Sequence, residues 1–181
     1  MSYFKNHLTA WIPIALVFFL LVACAESGKS VGEEVVSGAV IMDVYKRPSC
    51  KCCGKWIQHA KSAGFDVTTK NRASLKAVKK AAGIKPHHQS CHTGVAEGYV
   101  FEGHIPAAII QKFLEEKPIS AIGLAVPGMP AGSPGMEMGT RFEPYDVLLL
   151  KRDGSSELYA HVAGPDSVTW PASKKVSNSD E

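Results

Sequence analysis

The chain has 181 residues, 45% of them hydrophobic and 20% charged, enough apolar material for one proper core and with no compositional sign of disorder or coiled coil. Its formal charge of +3 reads as spread, with no basic stripe interleaved with aromatics, which gives nucleic-acid binding no support.

The stretch from Leu8 to Ala23 is almost wholly apolar and follows Lys5. It is shorter than the roughly 20 residues a membrane-spanning helix needs, so residues 1–23 read as a signal peptide. Its end, Leu21-Val22-Ala23-Cys24, is similar to a bacterial lipoprotein signal, in which the cysteine is lipidated and becomes the mature N-terminus. Ala23-Cys24-Ala25 also fits ordinary small-x-small cleavage after Ala25. Both place the domain outside the cytoplasm, in the periplasm, with a lipid anchor to the membrane if Cys24 is modified. Residues 24–38 are rich in Gly, Ser, Glu and Lys and read as a flexible tether.

A folded domain is expected over residues 39–165. Residues 40–45 form a short β-branched run before Arg47-Pro48, as in a buried strand. Ser49 is the expected N-cap of a first helix, whose apolar face is Cys53, Trp56, Ile57 and Ala60 and which Gly64 stops. Residues 65–69 read as a second strand, and 74–82 as a second helix with Leu75, Val78 and Ala82 on one face. A polar loop over 85–93 carries His87, His88, Cys91 and His92, with a short strand at 99–101 after it. Pro106 opens a helix with Ile109, Ile110, Phe113 and Leu114 on its face, ending before Pro118. A strand at 122–126 precedes a Gly/Pro loop over 127–139 that holds three of the five methionines. Residues 145–150 and 158–162, joined through Asp153-Gly154, form a hairpin at one edge of the sheet. Residues 166–181 are polar without apolar period and are expected as a disordered tail. The fold class is α/β: a thioredoxin-like mixed sheet flanked by helices, with an inserted Met/Gly/Pro-rich loop and a C-terminal hairpin.

Chemistry concentrates in Cys50-Lys51-Cys52-Cys53 at a strand-to-helix turn, with Cys91 apart from it. Three thiols in one helical turn cannot all pair, since each bridge consumes two, and idle thiols do not persist in an oxidising compartment. A soft metal, the fourth cysteine or a redox partner must quench them. Cys50 and Cys53 have the Cys-x-x-Cys spacing of a thioredoxin-type helix start, where unpaired N–H groups and the helix dipole favour thiolate. Cys52 adds a competing thiol that a dithiol oxidoreductase does not need and a metal site uses. Thiolates with thioether neighbours suit Cu(I), zinc or iron–sulfur clusters. Met129, Met136 and Met138 favour copper, with zinc fitting less well, because methionine ligates copper but rarely zinc. His92 and His104 are candidate secondary ligands beside them. His87 and His88 read as solvated loop residues, and His59 and His161 as structural.

Taken together, these segments resemble the CopG-type proteins of bacterial copper-resistance systems, a family long filed as a domain of unknown function. The likeness rests on Cys50-Lys51-Cys52-Cys53-Gly54-Lys55-Trp56, on Ser90-Cys91-His92-Thr93, on Gly98-Tyr99-Val100 with Glu102-Gly103-His104-Ile105-Pro106-Ala107, and on the run from Gly123 through Met129 to Glu137. It spans nearly the whole domain. The resemblance implies a thioredoxin-like fold, an exported location, and copper held by Cys50, Cys52, Cys53 and Cys91. The expected function is copper binding in copper resistance, on a cluster of more than one Cu(I), with interconversion of Cu(I) and Cu(II) as a copper oxidoreductase activity. The alternatives are a thiol–disulfide oxidoreductase using Cys50 and Cys53, and a passive copper chaperone. Expected partners are other copper-handling proteins or an electron-transfer partner.

Overall fold

The computed structural model describes residues 38–171. The expected signal peptide, Cys24, nearly all of the tether and residues 172–181 lie outside the described residues. No helix among the described residues is long and apolar enough to cross a membrane.

The chain runs β1 (Ile41–Lys46), α1 (Lys51–Ser62), β2 (Asp66–Asn71), α2 (Lys76–Ala81), β3 (His92–Ala96), β4 (Tyr99–Glu102), α3 (Ala107–Glu116), β5 (Ala121–Ala125), β6 (Tyr145–Lys151), β7 (Ser156–Gly164) and β8 (Ser167–Thr169). The strands form one eight-stranded sheet in the order β2-β1-β3-β4-β5-β6-β7-β8. The β1–β2 and β4–β5 pairs are parallel and each spans a helix, while the other neighbours are antiparallel. The expected mixed α/β architecture is therefore present, and its β1-α1-β2-α2 opening follows the sequence reading.

Apolar spacing accounts for the helices that matter to the site. The face of α1 buries Cys53, Trp56, Ile57 and Ala60, the set that recurs at helical spacing. Trp56 reaches across the core and donates from its indole Nε1 to the Ile105 carbonyl at 2.9 Å. Helix α3 buries Ile109, Ile110, Phe113 and Leu114, and Phe113 meets the Tyr99 and Phe101 rings edge to face. These contacts fix α1 and α3 against a shared core, so the start of α1 is held on a rigid base.

Four local expectations change. A strand, β3, occupies His92–Ala96 where a polar loop was expected to run on to Thr93. It is joined to β4 by Glu97 and Gly98, both at positive φ (49° and 80°), which is the backbone a tight two-residue hairpin needs. Helix α2 starts after Leu75, and the residue its own turns bury is Lys79. The third change is at the C-terminus: Ser167–Thr169 pairs with β7, so ordered structure passes residue 165 and β8 is the sheet edge outside the β6–β7 hairpin. The fourth is His88, which is buried and hydrogen-bonded to Ser156 Oγ at 3.1 Å rather than solvated.

Candidate metal centre

The turn from β1 into α1 is closed by local hydrogen bonds. Cys50 N–H donates to the Arg47 carbonyl at 3.1 Å, and Nζ of buried Lys46 donates to the Arg47 and Pro48 carbonyls at 2.9 and 3.3 Å. Cys50, not Ser49, is the N-cap: its backbone is extended (φ −72°, ψ 98°) and its Sγ accepts from Cys53 N–H at 3.3 Å. Sulfur is a weak acceptor, yet it takes the place that a serine oxygen fills elsewhere. The cap therefore aims the first cysteine at the exposed N–H groups of α1, where the helix dipole favours an anion.

Cys50 and Cys53 are joined as a disulfide with a Cα–Cα distance of 5.4 Å, and Cys52 and Cys91 are free. Cys52 Sγ lies 3.5 Å from Cys50 Sγ, and Cys91 Sγ lies 3.4 Å from Cys53 Sγ. All four sulfurs fall within 4.8 Å of one another. Two stretches of chain that are 38 residues apart thus meet at one point.

What carries Cys91 there is a buried polar network. Glu102, fully buried at the end of β4, accepts from Lys79 Nζ and from Ser90 N–H (2.6 Å) on Oε1 and from Thr93 Oγ1 (2.6 Å) on Oε2. Lys79 also donates to Thr93 Oγ1 at 3.1 Å. Burial pushes the Glu102 carboxyl above the ordinary carboxylate range, with the Lys79 ammonium pulling the other way. Ser90 Oγ donates to the Gly128 carbonyl, tying the same segment to the loop after β5. Sequence reasoning missed Lys79, Thr93 and Glu102. One signal was present: Lys79 is four residues after Leu75 and shares the face given to Leu75, Val78 and Ala82, where a lysine needs a buried partner.

Two imidazoles extend the sulfur group. His104 Nε2 lies 2.9 Å and His92 Nδ1 3.3 Å from Cys91 Sγ, so both histidines singled out in the sequence sit at the centre. His104 Nδ1 is 2.8 Å from the Pro134 carbonyl, which can only accept. The proton of neutral His104 is therefore on Nδ1, and the Nε2 lone pair faces Cys91. Burial lowers the pKa of His104 and, further, of His92. His92 Nε2 has no hydrogen-bond partner among the described residues, and its ring packs on Trp56 with centroids 4.4 Å apart. The Cys91 thiol is pushed up to about 12, first by burial and then by Cys52. In the metal-free fold Cys91 thus keeps its proton, which a bound soft cation would displace.

The methionine loop folds over the helix start. Gly135 (φ +84°) lies so close to it that a Cβ there would stand 2.7 Å from the Cys52 carbonyl oxygen and 2.8 Å from Trp56 N. Met129, 52% exposed, lines an open cleft whose wall includes Cys50 and Cys91. Met136 is half-buried and Met138 is 58% exposed; neither lines that cleft. His59 accepts from Ala107 N–H at 3.0 Å, and His161 pairs with Asp146 at 2.7 Å, both structural as expected.

The donor set, four sulfurs with two imidazoles and no carboxylate in either grouping, suits a soft or borderline cation and not magnesium or calcium. Residues 88–136 match a family model described as "Protein of unknown function, DUF411". Two solved structures, both described as copper resistance protein CopG, are similar to the chain. Form 1 is 44% identical, covers 70% of this chain and 99% of its own, and superposes with a TM-score of 0.66. Form 2 is 43% identical, covers 68% of this chain and 98% of its own, with a TM-score of 0.65. No curated protein matches the chain.

Proposed function

Because this chain belongs to the copper resistance protein CopG family, we propose that its work in copper resistance is to hold Cu(I) on the thiolates of Cys50, Cys52, Cys53 and Cys91. The observation that carries this reading is the convergence of four sulfurs within 4.8 Å with no carboxylate among them. Four thiolates so close can bridge ions when ligands are fewer than separate sites would need, which is why the centre is read as polynuclear. His92 and His104 are the nearest nitrogen donors and Met129 the thioether nearest the opening; Met136 and Met138 remain second-rank candidates. Sulfur favours Cu(I) and imidazole also serves Cu(II), so the mixed set supports interconversion of the two states. The proposal includes a periplasmic location with a lipid anchor at Cys24, and exchange with copper-handling or electron-transfer proteins.

The test is an anaerobic Cu(I) titration of the fully reduced protein, with thiols counted beforehand. More than one Cu(I) per chain is expected, falling in Cys91→Ser. Saturation at one ion removes the polynuclear centre, and no tight binding removes the reading. The Cys50–Cys53 disulfide favours a second reading, thiol–disulfide exchange. Reduction of insulin disulfides by metal-free Cys52→Ser protein, at the wild-type rate, would put that reading first.

A further inference from the structure

Copper cannot be held on four thiolates while Cys50 and Cys53 are joined, so the copper reading, on which this inference rests, requires something to open that bond. Access restricts where. Cys53 has no exposed surface, whereas half-buried Cys50 faces the cleft that Cys91 and Met129 also line. The cleft has a volume of about 870 Å³, within the range that holds small ligands.

The walls of this cleft carry charge of one sign. Arg47 and Lys76 line it, both exposed, and neither is in an ion pair among the described residues. A third lining cation, Lys79, is matched by buried Glu102. Among the described residues no Asp or Glu lines the cleft. The small net charge of the chain hides the reason. Residues 44–96 hold eleven Lys or Arg against one Asp or Glu, whereas residues 97–171 hold five against ten. The charge is thus partitioned rather than spread, and the basic part contains Cys50 and Cys91.

We propose that this cleft binds a small carboxylate-bearing thiol, which reduces the Cys50–Cys53 disulfide and so prepares the cysteines for metal. The ligand's thiolate sulfur attacks Cys50 Sγ; the Cys50–Cys53 bond breaks and Cys53 leaves as a thiolate. A second molecule of the thiol attacks the ligand sulfur of the mixed disulfide. It releases Cys50 as a thiolate and departs as the ligand's own disulfide. Two electrons pass from two thiols to the protein, and the two protons those thiols lose go to solvent or to Cys50 and Cys53. Arg47 and Lys76 hold the carboxylates and raise the local concentration of the anion.

The test compares two probes on the oxidised full-length protein: mercaptosuccinate, a dicarboxylate thiol, and cysteamine, a cationic one. Protein thiols are trapped with iodoacetamide and counted by mass at timed intervals. Each rate is divided by that of the same thiol with the uncharged disulfide of 2-mercaptoethanol, which removes differences in intrinsic reactivity. At low salt the normalised rate for mercaptosuccinate should exceed that for cysteamine about tenfold or more. The ratio should approach one near 1 M salt, where the screening length is about 3 Å, and also in Arg47→Glu/Lys76→Glu. A ratio near one at low salt overturns the proposal, as does a high ratio that neither salt nor the double substitution lowers. Copper titration of phosphine-reduced protein bypasses the cleft. Normal copper stoichiometry there beside equal thiol rates would remove the cleft proposal and leave the copper reading intact.

Discussion

Cys50 is held by a contact that spans three residues, from the Cys53 amide to its own sulfur, whereas Cys91 follows Ser90, which is anchored to Glu102 twelve residues away and through it to Lys79, a further helix back. The first arm of the centre is a helix cap, a few backbone torsions and one weak acceptor. The second is a buried ion pair joining α2, β3 and β4. A local cap forms with its helix and costs little to lose, while a buried charged network is strongly tied to the whole fold. The two arms should therefore fail differently when cut, although both deliver sulfur to the same point.

The largest effect is expected at Glu102. Glu102→Gln leaves the Lys79 ammonium buried without its counter-charge, and breaking one side of such a pair costs about 3–5 kcal/mol. Urea unfolding of the metal-free protein should show that loss, and Lys79→Met/Glu102→Leu should recover most of it, because apolar replacement of both partners removes the uncompensated charge. If Glu102→Gln unfolds like the wild type, the second arm is no more deeply built than the first and the contrast disappears.

How far each arm could be read from the sequence follows the same division. The α1 face and the Cys50–Cys53 cluster depend on helical spacing and on a turn after Arg47-Pro48, both local, and were legible; only the cap moved by one residue, from Ser49 to Cys50. The resemblance to a copper family added Cys91 to the set, but nothing local said how Cys91 arrives. Strand β3 was hidden because its residues, His92-Thr93-Gly94-Val95-Ala96, lack alternation: His92, Thr93 and Gly94 are all buried. Side chains on both faces of β3 are buried (His92, Thr93, Gly94 and Ala96), so the period-2 signal fades. Glu102 looks like an ordinary surface charge, and the place of Lys79 on the apolar face of α2 names no partner until their separation of 23 residues is closed by folding. The uneven charge was countable from the first but acquires meaning only once Arg47 and Lys76 line one cleft.

A smaller break tests how the methionine loop is coupled to the first arm. Gly135 and Gly139 both have positive φ (+84° and +61°), but a Cβ on Gly135 meets the Cys52 carbonyl and Trp56 N, whereas one on Gly139 meets nothing within 4 Å. Gly139→Ala should cost only the left-handed backbone penalty of about 1 kcal/mol. Gly135→Ala should add an overpacking cost of about 1–3 kcal/mol and push the loop off the helix start. Alkylation of Cys52 should then quicken in Gly135→Ala and stay unchanged in Gly139→Ala. Equal behaviour of the two variants would mean that the loop does not press on the turn.

The smallest expected effect is at the cap itself, and it must be measured in reduced protein so that the disulfide plays no part. Cys50→Ala removes the acceptor for Cys53 N–H, and loss of an N-cap costs about 1 kcal/mol. Cys50→Ser keeps an acceptor, and a better one, so its stability should equal or slightly exceed that of the wild type. Both variants lose the same sulfur, and the difference between them therefore reads the cap alone. If alanine and serine unfold at the same urea concentration, the Cys50 sulfur does not cap α1 in solution, and the turn is held instead by Lys46 and the Arg47 and Pro48 carbonyls. Copper separates the roles again: both variants should bind fewer Cu(I) than the wild type under anaerobic titration, and to the same extent, because the cap needs any acceptor whereas the metal needs sulfur.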